Sequence, residues 1–461
     1  MLPTFDPLRT SLVTFEVATA THASPAMLAH WQTQRLAALL RAARGSAVYR
    51  PYLEGLRDAD VALASLPVIP KRELMGRFEE WVTDPDVRLA DVRAFIQDPA
   101  RIADPYLGRY TVWESSGSSG EPGIFLQDAA AMAVYDAIES QRRPALRPMQ
   151  RLLDPFGLSD RFVFVGAVNG HFASTVSVER IRRLNPAMAP GLKQVSFLQP
   201  VADMLAELQA LAPTAIATYP SVALLLAEAQ LAGRLDLRPL EIWTGGETLT
   251  PAVRCRVRQA FHCPVLNTYG SSEFLSLAFE CRHGHLHLNS DWAILESVDE
   301  HGRPVPAGQP GVTSLLTNLA NHVQPIIRYD IGDSVTLHDT ACACGSPLPV
   351  IEVLGRDEDI LHIGPHDEHG IDVTPLALST VLETDAGLYD FQLVQEGPTR
   401  LVLKTGRQGE QAQDALGHAR QVLADFLSHQ GARGVHIDCR CGEAALRSRS
   451  GKVKRVVGLT A

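Results

Sequence analysis

Between Pro200 and Glu273 one pattern repeats, and it constrains the fold more than any other part of this 461-residue chain. In "PVADMLAELQALAP" the residues Val201, Met204, Leu205, Leu208 and Leu211 fall on one helical face, and "TAIATYP" follows as a short apolar strand. Ser221 reads as the cap of a second helix, "VALLLAEAQLAG", which stops at Gly233, and "LEIWTGGE" is then a strand running into a glycine pair. Thr250 as N-cap and Pro251 at the first helical position open a third helix, and "CPVLNTYGSSE" is the third strand. Strands alternating with helices predict an α/β fold with helices packed on a parallel sheet. Such sheets bind ligands at the carboxyl ends of their strands, so "TYPS", "TGGE" and "TYGSSE" are predicted to meet on one rim.

Past Glu273 the pattern changes. "AILESVD", "GVTSLLTNL", "PIIRYDIGD" and "SVTLHD" are short strands separated by turn residues, which predicts a β subdomain at about 292–356 attached to the α/β body. From Asp357 on, "ILHIG", the helix "PLALSTVLET", a hairpin around "EGPTR", the long helix "EQAQDALGHARQVLADFLSHQ" and the strand "GVHIDC" form an α+β region of domain size. The expected division is therefore a large domain over 1–356 and a small mobile one over 357–461.

Charge and hydropathy exclude several classes of function. Lys plus Arg number 42 against 52 Asp plus Glu, a net charge of -10, and no basic stretch could follow a nucleic-acid backbone. Apolar runs such as "VALLLAEA" are far shorter than the roughly 18 residues that span a bilayer. The N-terminus lacks the charged and apolar regions of a leader, so the expected location is cytoplasmic, and the seven cysteines are expected to be reduced or metal-bound. No G-x-S-x-G elbow points to a hydrolase.

The segment "ESSGSSGEP", Glu114 to Pro122, offers unhindered backbone N–H groups and hydroxyls, the chemistry that cradles phosphate oxygens, although alone it reads equally as a surface turn. Read in order, "SSGSSGEP", "TGGE", "TYGSSE", "RYDIGD", "GRDEDI" and "SRSGKVKRVV" resemble the core motifs of the adenylate-forming superfamily of acyl-CoA synthetases, adenylation domains and luciferases. The N-terminal "HWQTQRLAALLRAARGSAVYRPYL" and "SLPVIPKREL" look like its phenylacetate-CoA ligase branch. The chain departs from the family at Glu121, where a lysine is usual, and at "HIGPHDEHGIDVTP" after the hinge.

The resemblance implies a role for each motif. Ser115, Ser116, Gly117, Ser118, Ser119 and Gly120 would hold the ATP phosphates; Gly245, Gly246 and Glu247 would frame the adenine, with Tyr269 stacked on it. Gly270 and Ser271 belong to the same nucleotide loop, Ser272 would donate to the α-phosphate, and Glu273 would hold Mg2+, a hard cation suited to carboxylate oxygens. Asp333 would take the ribose hydroxyls, Arg356 a second nucleotide contact, and Lys452 the reacting carboxylate and phosphate, with Lys454 as its competitor. The implied reaction joins an aromatic acid, bound near Tyr219, Ser221, Gly245, His171 and Phe172, to AMP, then passes it to coenzyme A after rotation near Glu358. An amine or a carrier-protein thiol is the alternative acceptor, a non-catalytic nucleotide-binding protein is the other reading, and a homodimer is a compatible assembly.

Cys281, with His283, His285 and His287, and the turn bearing Cys342 and Cys344 have the thiolate and imidazole inventory of a four-coordinate zinc site. Similarity to the phenylacetate-CoA ligase branch, through Cys281-x5-His287 with Asp291 four residues on, selects His287. Four protein ligands leave no open position, which implies a structural site. Cys439 and Cys441 lack accompanying histidines and read as strand residues.

Overall fold

The computed structural model describes residues 4–58, 61–115, 122–143, 154, 159–354, 360–364, 370–443 and 454–459. Strands β1 (Thr111–Glu114) and β2 (Ile124–Gln127) form an antiparallel pair. The main sheet has nine strands: β3 (Phe162–Gly166), β4 (Leu192–Ser196), β5 (Ala215–Thr218), β6 (Glu241–Thr244), β7 (Val265–Ser271), β8 (Phe274–Glu280), β9 (Leu286–Leu288), β13 (Ser334–His338) and β14 (Val350–Leu354). Their spatial order is β13-β14-β9-β8-β7-β6-β5-β3-β4. The half from β4 to β7 is parallel, with Ile216 beside Ile242 and Thr244 beside Asn267; from β7 to β13 it is antiparallel.

The parallel half follows from local chemistry. Helices Val201–Leu211 and Pro251–Phe261 end on Ala212 and His262 in left-handed conformation, whose N–H groups return to Leu208 and Arg258 carbonyls. The Thr250 hydroxyl accepts from Val253 N at 3.2 Å, as its position before Pro251 predicts. Helix Pro220–Leu231 differs from expectation at its start: Tyr219 is the N-cap position and Ser221 lies inside the first turn. Pro220, preset for helix at the first position, moves the boundary back by two residues. This helix is apolar on nearly every side, and Val222, Leu226, Ala227 and Ala229 are all buried, as a helix covered by sheet and neighbours must be.

Strands β10 (Ala293–Val298), β11 (Thr313–Asn318) and β12 (Tyr329–Asp330) form a separate antiparallel sheet. The fourth strand expected there, β13, instead pairs with β14 and so extends the main sheet. Beyond residue 360, β15 (Leu361–Ile363) pairs with β16 (Ile371–Val373), and the last sheet runs β19-β18-β17-β20. Its strands are β17 (Gln392–Gly397), β18 (Arg400–Thr405), β19 (His436–Cys441) and β20 (Val456–Val457), with helix Glu410–His429 packed on it. The buried core under the parallel strands is continuous with that of this C-terminal part, joining Val222 and Leu208 to Leu378 and Leu423. Gln430 also donates to the Leu198 carbonyl at 2.6 Å. The other core joins the N-terminal helices, β1, β2 and the antiparallel strands around Trp81, Trp113 and Phe274.

One buried ion pair fastens the N-terminal helices to the sheet. The Arg142 guanidinium forks onto Asp291 at 2.7 and 2.6 Å, both side chains fully buried, while Arg35 donates to the Asp291 carbonyl and covers the Trp292 ring.

Candidate functional site

A cavity of about 2310 Å³ opens where the parallel strands end, walled by the loops after β5, β6 and β7, by β1 and helix Ala129–Arg142, and by residues 360–362 and 455–459 from the C-terminal part. Its position follows from topology: parallel strands leave their following loops on one edge.

Tyr219 directly follows β5 and is packed edge-on against Phe197 and tilted against Phe164. The next loop holds Gly246 in the left-handed region at φ 78°, and a Cβ there would stand 2.9 Å from the Tyr219 ring, so both backbone and space require glycine. Glu247 then turns back onto the 220–231 helix, its carboxylate accepting from Ser221 N at 2.8 Å and Ser221 Oγ at 2.9 Å. Those bonds satisfy one N–H of the helix N-terminus and lock two predicted site residues together.

Ser272 and Glu273 form the tip of the β7–β8 hairpin, whose tightness depends on Gly270: an added Cβ would lie 1.8 Å from the Leu275 carbonyl oxygen. Trp113 Nε1 donates to Ser272 O at 2.8 Å, and Asn318 donates to Glu273 O at 2.8 Å, so the tip is braced from two sheets. The Tyr269 hydroxyl donates to Asp333 Oδ2 at 2.9 Å; burial first, then the Asp333 charge, hold that phenol well above its ordinary range. Glu273 is buried with the Tyr329 hydroxyl on its carboxylate.

Ser115 lies at the mouth of the Ser/Gly loop, its hydroxyl accepting from Gly123 N at 2.8 Å. Lys71, in helix Lys71–Gly76, donates to the same hydroxyl at 3.0 Å. Lys71 and Glu114 both line the cavity, and neither was given a site role from the sequence. Lys71 sits in "IPKREL", read only as part of the N-terminal resemblance, and Glu114 is the residue before the loop.

Tyr219, Ser221, Gly245, Gly246, Glu247, Tyr269, Gly270, Ser271, Ser272, Glu273, Asp333, Ser115 and Phe172 therefore meet on one cavity. His171 does not line it: the imidazole is fully buried and packs against the Phe95 ring at 5.6 Å, because side chains alternate along the extended backbone and Phe172 takes the cavity side. Ser116, Gly117, Ser118, Ser119, Gly120, Glu121, Arg356, Glu358 and Lys452 lie outside the described residues. Lys454 is described, and its carbonyl accepts from Gln392 at 2.6 Å. The next residue, Arg455, is buried, paired with Glu383 and stacked over Phe391, which anchors β20 parallel to β17.

Cys281, His287, Cys342 and Cys344, which do not themselves line that cavity, come together with ligand atoms within 4.8 Å of one another. Cys281 Sγ and Cys342 Sγ are 3.9 Å apart and Cys344 Sγ is 3.3 Å from His287 Nε2. Thiolates on one tetrahedral zinc would stand about 3.8 Å apart. His287 Nδ1 lies 2.8 Å from the Leu348 carbonyl, which fixes that nitrogen as the donor and turns the Nε2 lone pair to the thiols; burial also keeps the ring neutral. His287 and Val350 are register partners in β9 and β14, so the sheet carries the histidine to the Cys342–Cys344 turn. Asp291 belongs to the Arg142 pair, and His283 and His285 are outside the cluster. Cys439 and Cys441 lie in β19, as the strand reading predicts.

Comparison with known proteins adds relationships to this geometry. A family model described as AMP-binding enzyme matches residues 17–313. Protein CapK of Staphylococcus aureus is 29% identical over 172 residues, which is 37% of this chain and 36% of that protein. A solved structure of 2-hydroxyisobutyryl-CoA ligase, in complex with 2-HIB-AMP and CoA in the thioesterification state, aligns with TM-score 0.57 at 21% identity, over 95% of this chain and 91% of that one. The same enzyme in its postadenylation state gives TM-score 0.53. Those structures establish a shared fold. With nearly two thirds of its length matched by the family model, the chain belongs to the AMP-binding enzyme family.

Proposed function

We propose that this chain is an AMP-forming ligase that activates a carboxylic acid, aromatic by preference, as an acyl adenylate and transfers the acyl group to coenzyme A. The observation that carries the reading is the convergence of the β5, β6 and β7 end loops with Asp333 and Ser115 on a single cavity, in a chain of the AMP-binding family. The 2-hydroxyisobutyryl-CoA ligase, whose fold it shares, was solved with an acyl-AMP and CoA.

Each residue has a physical task in this reading. Ser115 and the loop it opens present N–H and hydroxyl donors to the phosphates, and Lys71 adds an ammonium at the loop mouth, in a chain whose loop carries Glu121 in place of the usual lysine. Asp333, which accepts from Tyr269, is a two-oxygen acceptor of the kind that suits ribose hydroxyls. The Ser272–Glu273 tip brings a hydroxyl donor and a carboxylate to the α-phosphate, and Glu273 fits Mg2+, which offsets phosphate charge when bound. Phe164, Phe172, Phe197, Tyr219 and Trp243 give the cavity an aromatic wall that matches an aryl side chain. Lys452 neutralises the developing charge as the acid oxygen attacks phosphorus, and movement of the region from 357 onward about Glu358 then admits the thiol. Cys281, His287, Cys342 and Cys344 hold a structural zinc that clips the β8–β9 turn to the β13–β14 turn.

The test is pyrophosphate release from MgATP across benzoic, hydroxybenzoic, aminobenzoic, phenylacetic and short aliphatic acids, with and without coenzyme A. Release dependent on an aryl acid, with acyl-CoA formed when thiol is present, is the expected outcome. ATP binding without release for every acid would overturn the reading.

A further inference from the structure

We infer that Glu114 is the proton acceptor for the incoming thiol in the acyl-transfer half of the reaction. This inference rests on the ligase reading above. Its ground is placement. Glu114 is the last residue of β1, and its two neighbours are tied to the two phosphate-facing loops: Trp113 donates to Ser272 O at 2.8 Å, and the Ser115 hydroxyl holds Gly123 and Lys71. Its own N–H donates to His171 O at 2.9 Å, which bridges β1 to the segment opening helix Ala173–Leu184. The backbone is therefore fixed, and Glu114, half-buried, lines the same cavity as Ser115 and the Ser272–Glu273 tip.

The other carboxylates on this wall are engaged. Glu247 is bound to Ser221, Asp333 to Tyr269, Glu273 to Tyr329, Asp136 to Arg180, Glu139 to Ser276 and Glu280 to Arg254. Glu114 has no hydrogen-bond or charge partner among the described residues. The charged groups on the elements around it are spoken for: Lys71 is on Ser115, Arg180 on Asp136, and Arg182 and Arg183 on Glu179; β2 carries none. Burial alone therefore sets its proton affinity, pushing the carboxyl up to about 7.

The chemistry separates the two half-reactions. In adenylation the acid attacks as a carboxylate and pyrophosphate leaves, so no proton need be taken up. In transfer the thiol sulfur bonds to the acyl carbon, the carbon–oxygen bond to AMP breaks with its electron pair leaving on phosphate, and the S–H proton passes to the Glu114 carboxylate. A base near neutrality suits a thiol whose ordinary pKa is about 8.5.

The experiment uses the full chain, its preferred acid, MgATP and coenzyme A, and compares wild type, Glu114→Gln and Glu114→Asp. A single turnover is followed by pyrophosphate release and then by acyl-CoA formation from pH 5.5 to 9. Glu114→Gln should adenylate within about twofold of wild type but transfer about a hundredfold more slowly, the general-base range. The wild-type rise of transfer through neutral pH should disappear in Glu114→Gln, and Glu114→Asp should recover part of both rate and profile. Transfer at wild-type rate in Glu114→Gln, or an equal fall in both half-reactions, which would mark Glu114 as an acid-binding or structural group, would overturn the proposal while leaving the ligase reading intact. A wild type that adenylates no acid would overturn the ligase reading itself.

Discussion

Replacing Glu114 by Gln should make the protein more stable at alkaline pH. The carboxyl is half-buried, has no partner among the described residues, and is pushed up to about 7 from an ordinary 4.5 by burial. Below pH 4.5 it is neutral whether the chain is folded or unfolded, and it costs nothing. As pH rises toward 7 the unfolded chain releases the proton while the folded chain retains it, so stability falls across this window and stays lower above it. The full difference corresponds to on the order of 3 kcal/mol at pH 8, and water reaching a half-buried group lowers it toward half of that. Gln has the same shape and no charge to desolvate. Urea or thermal melts of wild type and Glu114→Gln at pH 4.5 and 8 should agree at the lower pH and separate by about 1–3 kcal/mol at the higher, the variant being the more stable. Equal melts at both pH values, or a variant less stable at pH 8, would refute the reasoning, since the carboxylate would then have a native partner. A group kept at such a cost is what a functional carboxyl requires.

Metal analysis of protein purified without chelator should give one zinc per chain, and Cys342→Ser or His287→Ala should lose it and lower the melting temperature while leaving ATP affinity within a few fold. Lys71→Ala should weaken kcat/KM for ATP about tenfold or more in pyrophosphate exchange, the scale of one charge-assisted phosphate contact, with partial recovery in Lys71→Arg. Asp291→Ala, which strands the buried Arg142 guanidinium, should cost about 3–5 kcal/mol in denaturant melts.

Much of this molecule is written locally. The repeat of apolar helix, short strand and glycine-bearing turn between residues 200 and 273 determined the parallel sheet and the edge on which its loops meet, because helix periodicity and turn chemistry act over a few residues. The Thr250–Pro251 cap, the stop at Gly233 and the long helix Glu410–His429 were legible for the same reason. The cysteines and His287 could be grouped from inventory and resemblance, since a metal site needs particular atoms more than a particular path between them. Tertiary structure decided the rest. That β13 joins the main sheet depends on pairing with β14, which no window of "SVTLHD" contains. That His171 faces Phe95 while Phe172 faces the cavity depends on the phase of an irregular segment between β3 and a helix. Lys71 and Ser115 are 44 residues apart and meet only because the N-terminal helices fold across β1 and β2. Glu114 owes its loss of water to the same packing, since desolvation is a property of what surrounds a group in space, and sequence lists only what surrounds it along the chain.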